Sequence, residues 1–380
     1  MSGPQILSTG QWIKNQAIVI EAGRIAAIIP AAMLKHHFPA QHIEFPSHYF
    51  LTPGLIDIHL HGANGHDVMD ANEEAWHGIS LALAKEGVTS FLATTMTAEP
   101  DKITNVLKFA AGLKKLPGAQ CIGIHLEGPF IANAKRGAQR DVTVFPDIDL
   151  FEQLQLAAAN QIKIVTLAPE LPGAIPFIKM LKNNNVIASI GHTFATYEET
   201  EAAIQAGATQ ATHLFNAMRA LHQREPGPVP ALLLAKNIYA EIIVDGHHLH
   251  PAIVDLVYQL KQKNSLILVT DSMRAKCMPD GNYELGGQTV TLTNQRVTLA
   301  DNTLAGSVLT LPEAIINMVK FTQCGFEDAI QMCTLNPASV LKWDHRIGII
   351  DKGYDADLVV FDDQFGVAAT MVKGKFVYQH

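Results

Sequence analysis

The sequence predicts an α/β protein, a (β/α)8 TIM barrel with a small β-sandwich domain formed by the N- and C-terminal segments. Apolar runs rich in β-branched residues alternate with helix-patterned stretches through the middle of the 380-residue chain, which predicts a parallel sheet. About eight such units in roughly 300 residues favour a closed barrel over the alternative, an open doubly wound sheet. Shorter apolar runs at both ends predict strands that pair with each other.

The two ends of the chain are predicted to form one small β domain, residues 1–50 and 345–380. Terminal strands that flank a large middle segment often lie side by side in the fold. Gly374, between two apolar runs, indicates the turn of a final hairpin. The terminal runs with strand character are Ala17–Ile20, Ile25–Ile29, Asp357–Phe361 and Thr370–Val377.

The barrel is assigned to residues 51–344. After its last strand, Met273–Thr303 carries glycine-rich turns and β-branched residues, which predicts a long loop with an inserted β-hairpin near 280–303. Helical patterning is clearest over Glu73–Lys85, Ala195–Gln205 and Pro251–Lys261. The predicted barrel strands are Leu55–His59, Val88–Thr94, Cys121–Leu126, Lys163–Leu167, Val186–Ile190, Gln210–His213, Glu241–Val244 and Leu266–Thr270.

The composition argues against several classes of protein. With 48% hydrophobic and 17% charged residues, the chain can bury one large core. A net charge of −8 argues against a nucleic-acid-binding surface, so a bound phosphate must be held by a few local cations. The apolar runs are shorter than the ~18 residues of a membrane span, and the first residues lack signal-peptide character. The four cysteines form no C-x-x-C pair and are typical of reduced thiols in a cytoplasmic protein.

Metal-ligating side chains occur where the predicted strands end. Because the carboxyl ends of the strands of a (β/α)8 barrel meet at one mouth, we expect these side chains to gather there. Three His, Asp or Glu ligands with an open fourth position are typical of a catalytic zinc site. The strand-end residues are His59, His61, Glu127, His192, His213 and Asp271.

The first two strand ends also have plain structural interpretations. His59 and His61 are two apart on a strand, so both side chains leave the same face, either as ligands or as hydrogen-bonded surface groups. Glu127 closes a buried strand and therefore needs a cation beside it. That cation could be a metal ion or the side chain of Arg136.

The later strand ends leave similar alternatives. His192 or His213 alone would be a hydrogen-bonded core histidine, but the two together with Glu127 favour metal ligation. His125 should point the same way as Glu127, and we assign it a structural or supporting role. Asp271 could be a ligand, the N-cap of a following segment, or the general base that hydrolysis needs. The last interpretation is favoured, because three other residues already serve as ligands.

The motifs around these residues resemble a known family. PGLIDIHLHG, with His and Asp at later strand ends, is similar to the amidohydrolase superfamily. Further motifs, spread from about Pro53 to Pro337, resemble the N-acetylglucosamine-6-phosphate deacetylases in their order and approximate spacing. These motifs are HLEGPF, GHT, THLFNAM, REPG, VDGHHLHP, TDSM and LAGS.

The resemblance implies a ligand set and a reaction. Glu127, His192 and His213 would hold a catalytic divalent ion (Zn, Fe, Co or Mn), and Asp271 would be the acid–base residue. The reaction would be hydrolysis of the acetamide of N-acetylglucosamine 6-phosphate. The alternatives are another amide, such as N-acetylgalactosamine 6-phosphate or a cyclic amide, and a non-catalytic metal or sugar-phosphate sensor. Such a sensor has no need of a base at Asp271.

The resemblance also implies a substrate pocket and a dimer. Arg224 and His248 would contact the 6-phosphate, since arginine offers a planar fork matched to phosphate oxygens. Without the resemblance, Arg224 would be a solvated surface residue. In the family this arginine comes from a neighbouring subunit, which implies a homodimer or a dimer-based tetramer. The other residues implied at the substrate are Ala138, Asn216, Ala217, Leu304, Ala305 and Gly306.

Two positions vary within the family. Some members lack the H-x-H histidines and work with one metal, whereas this chain has both His59 and His61, so one or two ions per subunit are expected. Many members carry a histidine where this chain has Gln139, which can donate a hydrogen bond to the substrate but cannot become cationic. We hypothesise that a second metal at His59 and His61 compensates by acting as the Lewis acid.

Overall fold

The predicted barrel is present in the computed structural model, which describes residues 1–34 and 41–380. Eight parallel strands lie in one sheet in sequence order, and a parallel bridge between Leu60 and Ser272 joins its two edges. The amide of Asp271 also donates to the His59 carbonyl at 2.8 Å where the first and last strands meet. The strands are Leu55–Leu60, Val88–Thr95, Gln120–Glu127, Ile162–Leu167, Ile187–Ile190, Gln210–Ala211, Tyr239–Ile242 and Leu266–Leu268.

Helices lie between successive barrel strands along the chain and after the last strand, and they pack an apolar face against the barrel. In the first helix, Asn72 accepts a hydrogen bond from the Ala75 amide as N-cap, and Trp76, Ile79 and Leu83 are buried at the spacing of one helical face. The α-helices are Glu73–Lys85, Pro100–Ala111, Ile148–Ala157, Ala174–Asn183, Tyr197–Ala206, Pro228–Leu234, Pro251–Lys261, Leu311–Thr322, Phe326–Gln331 and Leu335–Val340. Within the described residues, none of the helices combines the length and hydropathy needed to cross a membrane.

Segments from both ends of the chain form a separate six-stranded sheet. A second, two-stranded sheet of Gln16–Glu21 and Arg24–Pro30 shares one apolar cluster with it. Ile18 and Ile25 of the hairpin belong to that cluster together with Leu51 and Leu358 of the larger sheet. The six strands, in spatial order, are Gln11–Ile13, Gln5–Ser8, Phe50–Pro53, Leu358–Phe361, Val367–Val372 and Lys375–Gln379.

The sheet formed by the two chain ends extends beyond residue 50, where the sequence predicted the small β domain to end. The strand Phe50–Pro53 pairs with Leu358–Phe361 and leads after one residue into the first barrel strand, so it joins the two units. We propose the division into a small β domain of residues 1–50 and 345–380 and a barrel of residues 51–344, with this strand as the crossing point.

The insertion after the eighth strand is larger than the expected hairpin. It forms a three-stranded antiparallel sheet of Gly281–Leu285, Gln288–Thr293 and Arg296–Thr298. Its inward residues pack in a cluster that contains Met96 and Ala138. The insertion therefore lies over the carboxyl end of the barrel. A two-stranded sheet of Gly62–Ala63 and His66–Asp67 follows the first barrel strand.

The sequence placed three of the barrel strands less accurately. The sixth strand ends at Ala211 instead of His213, and the eighth at Leu268 instead of Thr270. The chain turns out of strand geometry just beyond these ends, with φ at 30° for His213 and 47° for Asp271. The seventh strand begins at Tyr239 and ends at Ile242, two residues earlier at each end than predicted, because its register follows its neighbours and not its own apolar run.

Candidate active site

Three of the sequence-predicted ligands meet at the carboxyl end of the barrel. The Nε2 atoms of His192 and His213 lie 3.1 Å apart, and each lies 3.1 Å from Oε1 of Glu127. A tetrahedral ion with ligand bonds near 2.0–2.1 Å sets its ligands roughly 3.3 Å apart. The three atoms therefore already have the spacing that a bound divalent ion requires.

A second cluster adjoins the first and consists of His59, His61 and Asp271, whose ligand atoms lie within 4.8 Å of one another. The Nε2 atom of His61 is 3.2 Å from Oδ1 of Asp271 and also 3.2 Å from Oε2 of Glu127. Glu127 thus contacts both clusters, with Oε2 facing His61 and Oε1 facing His192 and His213 and lying 3.5 Å from Nε2 of His59. This geometry suits a carboxylate shared between two ions.

The backbone turns sharply where the strands deliver these side chains. His192, His213 and Asp271 all have positive φ, at 47°, 30° and 47°. This left-handed region costs a non-glycine residue about 1 kcal/mol, and it persists where surrounding contacts hold the chain. Strand geometry ends at these three positions, and all three residues line the cavity at the barrel mouth.

Hydrogen bonds behind the imidazoles orient their free nitrogens toward the centre. The Nδ1 of His192 is 2.8 Å from the Lys135 carbonyl, and the Nδ1 of His61 is 3.2 Å from the Thr94 carbonyl. A carbonyl can only accept, so Nδ1 carries the hydrogen in both rings and Nε2 keeps a lone pair. The fully buried Nε2 of His59 has no hydrogen-bond partner within the described residues. These lone pairs fit a divalent cation at the centre.

The two carboxylates of the site are ionised. Burial alone would raise the pKa of Asp271, but the neighbouring His59 and His61 outweigh it and bring the pKa down to about 2. Burial also opposes ionisation of Glu127, yet His59, His192 and His213 hold the pKa of that carboxyl well below its usual range. Both carboxylates are therefore stable as anions, the form in which a carboxylate ligates a metal ion.

His125 takes no part in this centre, as its structural assignment predicts. Its Nδ1 donates to the Ile58 carbonyl at 3.0 Å, and its Nε2 accepts from the Thr166 hydroxyl at 2.7 Å. Burial, followed by the charge of His59, lowers the pKa of the ring to about 4. With both nitrogens engaged, the neutral ring is a hydrogen-bonded core histidine although it lies near His59 and Glu241.

Gln139 is fixed by two hydrogen bonds. Its Oε1 accepts from the Thr97 amide at 2.7 Å, and its Nε2 donates to Oε2 of Glu127, also at 2.7 Å. The amide therefore holds the shared carboxylate in place while one N–H remains toward the cavity. The sequence predicted contact with the substrate and missed the contact with Glu127.

An open cavity of about 350 Å³ lies above the two clusters. Arg224 does not line it; that residue is exposed, with its amide near His222. Ala305 is fully buried behind the wall, and the Asn216 amide is already bonded to the His213 carbonyl at 2.9 Å. The predicted substrate residues that do line the cavity are Ala138, Gln139, Asn216, Ala217, His248, Leu304 and Gly306.

His248 lies at the cavity wall with its orientation fixed by Asp245. The Nδ1 of His248 is 2.6 Å from Oδ2 of Asp245, whose other oxygen accepts the His248 amide at 2.8 Å. Burial would raise the pKa of Asp245, but these bonds lower it. Within the described residues, the opposite ring nitrogen of His248 has no hydrogen-bond partner, which leaves it available to a ligand. Lys135 contributes a further cationic side chain to the same wall.

Sequence reasoning missed Asp245, Lys135 and Glu241. Glu241 lies inside the seventh strand, is fully buried, and is bonded to His59 Nδ1 at 2.8 Å. The signal was available, since a carboxylate within an apolar strand needs a partner, the same argument that selected Glu127. Which partner it has depends on the closure of the barrel and could not be known from the chain alone.

Known proteins are similar to this chain over most of its length. The sequence profile of the amidohydrolase family matches residues 50–377. The chain is 41% identical over 353 residues to the N-acetylglucosamine-6-phosphate deacetylase of Lysinibacillus sphaericus, covering 92% of this chain and 91% of that protein. It is 40% identical over 379 residues to the enzyme of the same name from Bacillus subtilis (strain 168), covering 98% and 95%.

A solved structure is similar over nearly the whole chain. It is a mutant of N-acetyl-D-glucosamine-6-phosphate deacetylase from Mycobacterium smegmatis in complex with N-acetyl-D-glucosamine-6-phosphate. The two chains are 32% identical and superpose with a TM-score of 0.91, covering 99% of this chain and 98% of that one. The likeness therefore includes both the barrel and the sheet formed by the chain ends.

Proposed function

This chain belongs to the amidohydrolase family, and from that premise we propose that it hydrolyses N-acetyl-D-glucosamine 6-phosphate to D-glucosamine 6-phosphate and acetate. The observation that carries this function is the convergence of Glu127, His192 and His213 on one point at the floor of an open cavity. Relatives that are 41% and 40% identical over most of the chain carry the name of this deacetylase. The galacto epimer is therefore the less favoured substrate.

The family is metal-dependent, and the donor set suits a borderline divalent ion. Glu127, His192 and His213 would hold the first ion, and His59 and His61 would hold a second. A bound ion would supply Lewis-acid polarisation of the acetamide carbonyl and of water. Zn, Fe, Co and Mn all bind imidazole and carboxylate ligands. Among them, we propose zinc as the bound ion.

Asp271 is the acid–base residue in this proposal. It lines the cavity, and its Oδ1 lies 3.2 Å from His61 Nε2 beside the shared carboxylate Glu127. It accepts a proton as water adds to the carbonyl carbon, then delivers that proton to the amine as the carbon–nitrogen bond breaks. The low pKa caused by its histidine neighbours keeps the carboxyl ionised at neutral pH.

The cavity wall would bind the sugar phosphate. His248, held by Asp245, would donate to the 6-phosphate, with Arg224 supplied by a neighbouring subunit, since this residue is exposed and lies outside the cavity of its own chain. The Ala217 amide would add a donor there. Ala138 and the segment Leu304–Gly306 would enclose the sugar ring and the acetyl group.

The cellular setting is also part of the proposal. We assign the protein to the cytoplasm, as a homodimer or dimer-based tetramer in amino-sugar catabolism or cell-wall sugar recycling. All four cysteines are free in the structure, in keeping with a reducing compartment. A dimer would explain how an exposed Arg224 serves a cavity that it does not line.

Acetate release tests the proposed function. Purified protein is expected to release acetate from N-acetylglucosamine 6-phosphate, to lose the activity with a chelator, and to recover it when Zn²⁺ or Co²⁺ is added back. The galacto epimer, N-acetylgalactosamine 6-phosphate, should react more slowly, since the relatives that are 41% and 40% identical to this chain are named for the gluco substrate. Binding of the sugar phosphate without any acetate release in the metal-loaded protein would contradict the proposal and favour a sensor.

A further inference from the structure

The buried carboxylate of Glu241 lies directly behind both metal-ligand clusters. Its Oε2 is 2.8 Å from Nδ1 of His59 and 3.2 Å from the backbone amide of His213, and its Oε1 accepts from Nε2 of Gln210. The Glu241 residue is fully buried. One oxygen of Glu241 thus serves a residue from each cluster.

The contact with Glu241 decides which nitrogen of His59 can bind a metal ion. A carboxylate accepts hydrogen, so Nδ1 of His59 carries the proton that it shares with Glu241. In a neutral ring, Nε2 then keeps its lone pair. That nitrogen is buried, has no hydrogen-bond partner among the described residues, and lies 3.5 Å from carboxylate oxygens of both Glu127 and Asp271.

The same carboxylate fixes the strand end that carries His213. Its bond to the His213 amide falls at a position with φ of 30°, where the chain leaves the sixth strand. Removing the acceptor would leave a buried N–H without a partner at a strained turn. Glu241 therefore links the geometry of the two clusters, although it touches neither the cavity nor a candidate substrate.

We propose that Glu241 is a positioning residue that sets the tautomer of His59 and thereby enables His59 and His61 to bind a second divalent ion. The inference rests on the proposed function, which places ions at both clusters. Partners of this kind behind a ligating histidine typically change metal affinity by about 10–100-fold.

Metal binding by the metal-free protein tests the role of Glu241. Wild type titrated with Co²⁺ is expected to bind two equivalents, with a change in the visible absorption spectrum at each. Glu241→Gln keeps the volume but exchanges the carboxylate for a neutral amide, a weaker acceptor for Nδ1 of His59, so the second equivalent should bind about 10–100-fold more weakly while the first is retained. Thermal unfolding checks that the variant is folded.

Glu170→Gln is the matched control. Glu170 also accepts two hydrogen bonds near a strand end, from the Thr193 hydroxyl and the Phe194 amide, both at 2.6 Å, and these partners are not metal ligands. It should bind two equivalents like wild type. If Glu241→Gln binds both equivalents with wild-type affinity, or if wild type binds one equivalent only, the inference is wrong.

A second measurement does not depend on any variant. In zinc-loaded wild type, ¹⁵N NMR of the histidines should show a hydrogen on Nδ1 of His59 and none on its Nε2. A hydrogen on Nε2 would overturn the inference even if Glu241→Gln fails to fold. Acetate release by the wild type, measured in parallel, tests the proposed function separately, so the two failures are distinguishable.

Discussion

Asp271 is proposed to transfer the proton during hydrolysis, and its substitution tests that role directly. Asp271→Asn removes the proton acceptor but preserves the side-chain size, so kcat should fall by about 10²–10⁴-fold. The ion at Glu127, His192 and His213 should remain, because Asp271 is not one of its ligands. Acetate release and metal analysis of the same sample measure both.

The control for this change is Asp301→Asn, an exposed carboxylate in the loop before the cavity-lining Thr303. It should leave kcat unchanged. An Asp271→Asn enzyme that keeps most of its kcat would show that another group accepts the proton, and Asp271 would then be only a structural neighbour of His61.

The pair His59 and His61 tests whether a second ion compensates for Gln139. The double variant His59→Asn and His61→Asn should bind one equivalent of metal in place of two and lose activity, because Gln139 cannot polarise the substrate carbonyl as a cation would. Metal content and kcat are the measurements. If both stay at their wild-type values, the hypothesis of compensation is contradicted.

The grouping of the strand-end side chains could be predicted from the sequence because barrel topology brings together residues that are far apart in the chain. Glu127 and His213, separated by 86 residues, meet for this reason alone. Glu241 could not be paired with His59, 182 residues away, since that contact depends on side-chain directions inside the closed barrel. Arg224 does not line the cavity of its own chain, and its contact with the phosphate from a neighbouring subunit stays a prediction.

Among the elements, the helix Tyr197–Ala206 follows the strand end that carries His192 and begins with a capping box. Thr196 accepts from the Glu199 amide, and the Glu199 side chain accepts from the Thr196 amide. Thr196→Ala should lower the free energy of unfolding by about 1 kcal/mol. Denaturant unfolding of metal-loaded protein measures this change.

Metal content should not change in Thr196→Ala, because His192 is held by its own bond to the Lys135 carbonyl at 2.8 Å. Thr196→Ser keeps the hydroxyl and is the control; its stability should match that of wild type within a few tenths of a kcal/mol. Loss of metal in Thr196→Ala would show that the helix cap, and not the Lys135 contact, orients His192.

Elements with local signals were predicted most accurately. The helices Glu73–Lys85 and Pro251–Lys261 have the predicted bounds, since Asn72 and His250 cap them and Pro251 fixes a first turn. Strand ends follow pairing with neighbours. The sixth strand keeps only two residues of regular pairing, and its predicted continuation to His213 is replaced by a turn at that residue.

At the scale of the whole molecule, the alternation of apolar and helical segments predicted the barrel. It did not predict the seam, meaning the contacts between the barrel and the sheet formed by the chain ends. The Thr370 hydroxyl of the terminal sheet donates to the Ala84 carbonyl at 2.7 Å, across 286 residues of sequence. The Asp357 carbonyl accepts from the Gly54 amide at 2.8 Å at the crossing strand. No periodicity in the sequence predicts contacts of this kind, because each joins residues that are neighbours only once both units have folded.

Asp357 makes this seam sensitive to pH. Burial raises the pKa of its carboxyl to about 6, and Asp355 adds to the effect, although the Lys373 amide and the charges of Lys373 and Arg346 oppose it. The unfolded chain has a pKa near 3.8 at this residue. Between these values the folded state holds the proton more tightly, so this group's contribution to stability is greatest below about pH 4 and falls as the pH rises to about 6.

Asp357→Asn should remove that dependence. Asparagine can still accept the Lys373 amide, a bond of 2.6 Å in the wild type, but has no charge to bury. The free energy of unfolding of the variant minus that of wild type should therefore rise by up to about 3 kcal/mol between pH 4 and pH 7. Urea unfolding at several pH values measures it. The exposed Asp363→Asn should show no such rise, and a flat difference for Asp357→Asn would mean that the carboxyl ionises as freely in the folded protein as in the unfolded chain.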